Sequence, residues 1–111
     1  MKHLIVVFSL TFLATTARTA GAPADEAVEL RFENRRFTPQ TLTVPANRPF
    51  KIKIVNASQE AIEFESFKLN REKVAGPGET VIVAIPALRP GSYDFYDDFH
   101  ADVPQGTIVT K

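Results

Sequence analysis

The period of the apolar residues constrains this chain most. Phe50-Lys51-Ile52-Lys53-Ile54-Val55-Asn56 alternates, so Phe50, Ile52 and Ile54 share one face of an extended segment. Val28-Glu29-Leu30-Arg31-Phe32, Thr41-Leu42-Thr43-Val44 and Ser92 to Tyr96 alternate in the same way, the last with Tyr93 and Phe95 facing one side. Ala61 to Phe64 reads as a further strand, Val74-Ala75 as a short extended piece, and Gly106 to Val109 as the closing strand. Thr80 to Ile85 is a nearly continuous apolar run, as expected of a strand in the middle of a sheet. Pro45-Ala46-Asn47-Arg48-Pro49, Gly76-Pro77-Gly78 and Arg89-Pro90-Gly91 break the chain between these runs. No stretch sustains a helical period; Lys68 to Lys73 is expected to form a single helical turn. Seven to eight short strands at this spacing predict an all-β sandwich or barrel.

The first 24 residues are expected to be a leader rather than part of this fold. Met1-Lys2-His3 is a basic start, Leu4 to Leu13 is an apolar run, and Ala14 to Ala24 is rich in small residues. The apolar run is shorter than the roughly 20 residues that a bilayer span needs. Cleavage is expected between Ala20 and Asp25, the alternative being an anchor that stays attached. Lipidation is excluded, because the chain has no cysteine. Residues 25–111 then form one exported domain, without disulfides and without a thiolate for catalysis or metal binding. The formal charge is zero, which gives no electrostatic case for nucleic acid. No phosphate loop, dinucleotide fingerprint or serine–histidine–acid set is present.

The most specific segment is Pro90-Gly91-Ser92-Tyr93-Asp94-Phe95-Tyr96-Asp97-Asp98-Phe99-His100, followed by Gly106-Thr107-Ile108-Val109. It resembles the C-terminal end of a cupredoxin, where P-G-x-Y-x-F-x-C is followed by a histidine, a loop, a glycine and a closing strand. Phe37-Thr38-Pro39, Leu42 to Asn47, Ile54-Val55-Asn56 and Val74 to Thr80 resemble the family's earlier segments in the same order. The resemblance implies a Greek-key β-sandwich. It also implies four copper ligands, of which one survives. Asp97 stands at the cysteine position, and His100 keeps the second histidine. Glu60-Ala61-Ile62-Glu63-Phe64-Glu65 replaces the first histidine, and Val103-Pro104-Gln105 replaces the methionine. A blue-copper site needs a thiolate, so this chain cannot build one.

A narrower resemblance rests on Glu63-Phe64-Glu65-Ser66, Leu69 to Val74 and Asp97 to His100. These segments resemble the cysteine-poor cupredoxin-like domains of EfeO-type periplasmic iron-uptake proteins, and free-standing partners of ferrous-iron permeases. That resemblance implies periplasmic binding of iron or copper. Delivery to an inner-membrane permease would follow, with a periplasmic iron-binding protein as partner and at most an accessory part in ferrous-iron oxidation.

Six residues are the candidate metal ligands: Glu63, Glu65, Glu72, Asp97, Asp98 and His100. Carboxylates are hard donors, so such a set suits Fe(III), Fe(II), Mn(II) or a tetragonal Cu(II). Asp97 and Asp98 are adjacent and point to opposite sides of an extended chain, so at most one faces the pocket of His100; the family register favours Asp97. Asp98 otherwise serves as a turn-former. Glu63 and Glu65 share a strand face and repel one another unless a cation intervenes: either a metal, or Lys68, Arg71 or Lys73. Glu72 joins them if the short turn folds back. Glu60 and the Arg35-Arg36 pair read as solvated, and Phe64, Phe67, Tyr93, Phe95 and Phe99 as core and rim packing. Two other functions compete. One is a metal-free interaction module that docks a periplasmic or membrane partner. The other is a copper chaperone, disfavoured because the only methionine is Met1.

Overall fold

The computed structural model describes residues 2–3 and 27–111. The leader expected over residues 1–24 lies outside the described residues, apart from Lys2 and His3. Nine strands follow one another: β1 Ala27–Glu33, β2 Arg36–Thr38, β3 Thr41–Val44, β4 Phe50–Asn56, β5 Ile62–Ser66, β6 Arg71–Ala75, β7 Thr80–Ile85, β8 Gly91–Asp97 and β9 Gly106–Thr110. There is no helix among the described residues. The strands form two sheets, in the orders β2-β1-β4-β7 and β3-β9-β8-β5-β6. β1 runs parallel to β4, and β3 parallel to β9; the remaining pairs are antiparallel. This is an all-β sandwich of the Greek-key kind, with one strand more than the sequence suggested. The extra one is the three-residue β2, too short to show a period.

The alternation buries what it should. Leu30 and Phe32 of β1, Ile52 and Ile54 of β4, and Phe64 of β5 are essentially inaccessible. Phe32, Phe37, Phe95 and Phe64 form a chain of rings with centroids 5.2–5.3 Å apart between the sheets. β9 passes this cluster at Gly106, where a Cβ would run into the Phe95 ring. Only glycine lets the closing strand come so near.

Several local expectations need correction. β7 is an edge strand, not a central one. Its apolar run hides a period of two: Val81, Val83 and Ile85 face inward, while Ile82 is 48% exposed. Lys68 to Lys73 is not helical. The chain turns at residues 67–70, closed by the Asn70 amide donating to the Phe67 carbonyl at 3.0 Å, with Asn70 at φ 50°. It then enters β6, where pairing with β5 serves five residues of backbone that a lone helical turn would leave unserved. Of the aromatics read as core and rim packing, Phe64 and Phe95 are core, while Phe67 and Phe99 belong to the rim, 79% and 49% exposed.

Candidate functional site

Cross-strand register decides which candidate ligands meet. Asp97 pairs with Phe64 and Tyr96 with Glu65. Phe64 faces the core, so Asp97 points inward; Glu63 and Glu65 point outward. Glu65 lies opposite Glu72 on β6. The six candidates therefore separate into two groups. Glu63, Glu65 and Glu72 form an outer cluster with Asp98 alongside, whereas Asp97 and His100 meet at the end of the sandwich.

In the outer cluster, Glu63, Glu65 and Glu72 each bring a carboxylate oxygen within 4.8 Å of the others. Two donors bound to one ion at about 2.0–2.4 Å stand no more than about 4.8 Å apart, so one cation can span this set. Glu72 arrives through strand pairing, not through a turn folding back. Two of the three expected basic neighbours, Arg71 and Lys68, are engaged elsewhere. Arg71 donates to the carbonyls of Ala84, Leu69 and Asn70, and Lys68 donates to the Ser92 carbonyl. Partial burial lifts the Glu63 carboxyl above its ordinary range, and Glu72, Asp98 and Glu65 push the same way. Tyr96 lies beside them, its hydroxyl lifted by burial and then by Glu65 and Asp98. The Phe67 ring stands 5.8 Å from that of Tyr96.

That charge crowding has a consequence for stability. A carboxyl lifted by folding binds its proton more tightly in the folded state. It therefore favours folding at low pH, and the benefit disappears as pH rises through the folded value. Glu63→Gln is expected to raise Tm at neutral pH in chelator-treated protein, with the gain vanishing below the ordinary carboxylate range. Thermal melts across a pH series measure this; a gain independent of pH would contradict it.

At the end of the sandwich, Asp97 is buried, its side chain fully so. Its Oδ1 accepts the backbone N–H of Glu63 at 3.0 Å and of Phe99 at 3.1 Å. Its Oδ2 lies 2.6 Å from His100 Nδ1, and since a carboxylate can only accept, Nδ1 carries the proton. His100 Nε2 then faces Glu60 Oε2 at 3.4 Å. Asp97 is thus an internal acceptor that orients the imidazole, rather than a donor open to an ion. With no thiolate in the chain and Asp97 occupied in this way, the site does not fit blue copper.

Three residues at this end escaped the sequence reading as members of a site. Arg35, read as solvated, places Nη1 3.1 Å from Glu60 Oε2 and Nη2 2.7 Å from both carboxylate oxygens of Asp102. The Arg35 hydrogen bond holds the Asp102 carboxyl below the usual range. Glu60, read as a solvated loop residue, accepts from Arg35 and faces His100. The available clue was the spacing: Asn34-Arg35 fits between two runs as a two-residue hairpin turn. Asn56 was placed at a strand end but not recognised as a support. Fully buried, it donates to the carbonyls of Glu60, Ala75 and Gly76, and accepts from the Ser58 amide and hydroxyl. It fixes the β4–β5 loop that carries Glu60.

The comparisons agree with this architecture. The model of a family described as a cupredoxin-like domain matches residues 3–110. An uncharacterised protein of Rickettsia prowazekii (strain Madrid E) is 30% identical over 117 residues, covering 99% of this chain and 94% of its own length. Auracyanin A, a blue copper protein from the green thermophilic photosynthetic bacterium Chloroflexus aurantiacus, is similar in structure with a TM-score of 0.66 at 19% identity. That match covers 78% of this chain and 99% of auracyanin A. The metal-binding domain of the Cu(I)-exporting P-type ATPase of Streptococcus pneumoniae D39, solved with Cu(I), also gives 0.66, at 13% identity over 79% of this chain and 87% of its own. Amicyanin from Paracoccus versutus gives 0.58 at 18% identity, over 78% and 82% of the two chains. Likeness at these identities speaks for the fold alone. Taken with the family match along nearly its whole length, it places this chain in the family of cupredoxin-like domains.

Proposed function

We propose that this protein is an exported carrier of an oxygen-loving metal ion in uptake, with iron as the first candidate and Cu(II) as the second. The ion is cargo, handed to an inner-membrane permease with a periplasmic iron-binding protein as partner. The chain's own part is binding, and any part in Fe(II) oxidation is accessory. One observation carries this reading. Glu63, Glu65 and Glu72 converge within 4.8 Å on an accessible face, while Lys68 and Arg71 donate to backbone carbonyls instead. Like charges held this close repel unless a cation joins them, and oxygen donors favour hard ions over Cu(I). The narrower resemblance to EfeO-type domains rests in part on the same segment, residues 63–66 and 69–74, and in part on Asp97 to His100.

Calorimetric titration with Fe(III), Mn(II) and Cu(II) tests the reading. The Glu63→Gln, Glu65→Gln, Glu72→Gln variant is expected to lose on the order of a hundredfold in affinity or more, because affinity follows the count of charged ligands. Binding should also weaken early on acidification, since Glu63 must lose its proton first. Equal and weak binding by both proteins would favour the metal-free interaction module. A specific observation supports that second reading too: Phe67 stands 79% exposed beside Tyr96 and the acidic cluster, on a face fit for a partner.

A further inference from the structure

We infer that the outer face of β5, β6 and β8 docks a partner-protein segment carrying a lysine beside an aromatic residue, and that the lysine ammonium takes the metal ion's place among Glu63, Glu65 and Glu72. The exchange rests on the carrier reading, for which it provides the release step. Strand register lays out the face. Tyr96, Glu65 and Glu72 stand in one row across β8, β5 and β6. In the next row Glu63 stands opposite Val74, and on its other side the Asp98 amide donates to the Glu63 carbonyl at 2.9 Å. Asp94, two residues before Tyr96 on β8, shares its face. Five carboxylates thus gather on one face of a chain whose formal charge is zero. The cations of the β5–β6 hairpin leave them unanswered. Lys68 and Arg71 donate to backbone carbonyls, and Lys73 pairs with Phe64, so it lies on the opposite side of β6.

The spacing of the three glutamates suits an ammonium as well as a metal. Three acceptors, each about 2.8 Å from an ammonium nitrogen in tetrahedral directions, stand about 4.6 Å apart. The carboxylate oxygens of Glu63, Glu65 and Glu72 lie within 4.8 Å of one another. Lysine brings three donors on one compact charge, whereas the flat arginine fork matches a single carboxylate. Next to these acids lies an anchor for the rest of the segment. Phe67 is 79% exposed at the tip of the β5–β6 hairpin, with its ring 5.8 Å from that of Tyr96. The two rings, with Lys68, Asp94 and Gln105, line a groove of about 370 Å³, room for an aromatic side chain. Buried aromatic anchors carry much of the energy of an interface, and charge complementarity selects and steers the partner. One site cannot hold two cations, so docking expels the ion and the ion opposes docking.

The test uses the full chain and an acetylated, amidated hexapeptide with one tryptophan between two lysines. The chain has no tryptophan, so the peptide's fluorescence anisotropy reads its binding. Metal-free protein is expected to bind the peptide, with backbone amide shifts confined to residues 63–74 and 94–99. Replacing both peptide lysines by glutamine should weaken binding at least tenfold, and so should Glu63→Gln, Glu65→Gln, Glu72→Gln in the protein. Phe67→Ala should weaken the peptide about five- to tenfold while leaving Mn(II) affinity unchanged. Saturating Mn(II) should weaken the peptide, and saturating peptide should weaken Mn(II), by the same factor of about ten or more. Mn(II) binding without peptide binding, or both together without loss, overturns the exchange and leaves the carrier reading standing. Peptide binding to a protein that takes no metal overturns the carrier reading, and the exchange with it.

Discussion

Replacing Asn56 by leucine is expected to remove about 3–5 kcal/mol of folding stability, a large share of the roughly 4–13 kcal/mol that a domain of this size has. The side chain is fully buried, and its amide reaches three backbone carbonyls while its oxygen accepts from Ser58 twice. Leucine has the same number of side-chain heavy atoms, branched in the same way, but is bulkier and withdraws the donor from those carbonyls, of which that of Ala75 lies in a buried bond. Asn56→Asp separates donation from volume. It keeps the acceptor for Ser58 but points oxygen lone pairs, and a charge, at the three carbonyls. It should therefore cost at least as much as leucine. Urea unfolding followed by circular dichroism gives both values. A loss below about 1 kcal/mol for either variant would show that the β4–β5 loop stands without this residue.

How much of this was legible in the sequence follows from range. The sandwich was legible because alternation is local: Phe50, Ile52 and Ile54 announce a face without reference to any other strand. β7 misled because Val, Ile and Ala fill both of its faces, and composition cannot tell an edge from a centre. The pairing of Glu63 with Glu65 was legible for the same local reason. Their separation from Asp97 was not. It depends on Asp97 pairing with Phe64, and a slip of one residue would have turned Asp97 outward to join the glutamates. Arg35, Glu60 and Asp102 are 25 and 67 residues apart along the chain, so their ion pairs exist only once three loops gather at one end.

Asp97→Ala is expected to destabilise the fold by about 3 kcal/mol while leaving metal affinity at the glutamate cluster intact. Three donors converge on this carboxylate, from Glu63, Phe99 and His100, and its side chain sees no solvent. Alanine strands those donors and leaves a small void, and each loss costs on the order of a kcal/mol. Asp97→Asn should cost only about 1 kcal/mol, because its oxygen still serves the two backbone amides. Its amide nitrogen must then donate to His100 Nδ1, which forces the imidazole proton onto Nε2. Nitrogen chemical shifts of His100 would report that change of tautomer. A merely space-filling Asp97 would leave it untouched. The register that turns Asp97 inward is what makes it a support rather than a ligand. The opposite result, unchanged stability with metal affinity abolished, would put Asp97 in the coordination sphere and the cargo site at the end of the sandwich.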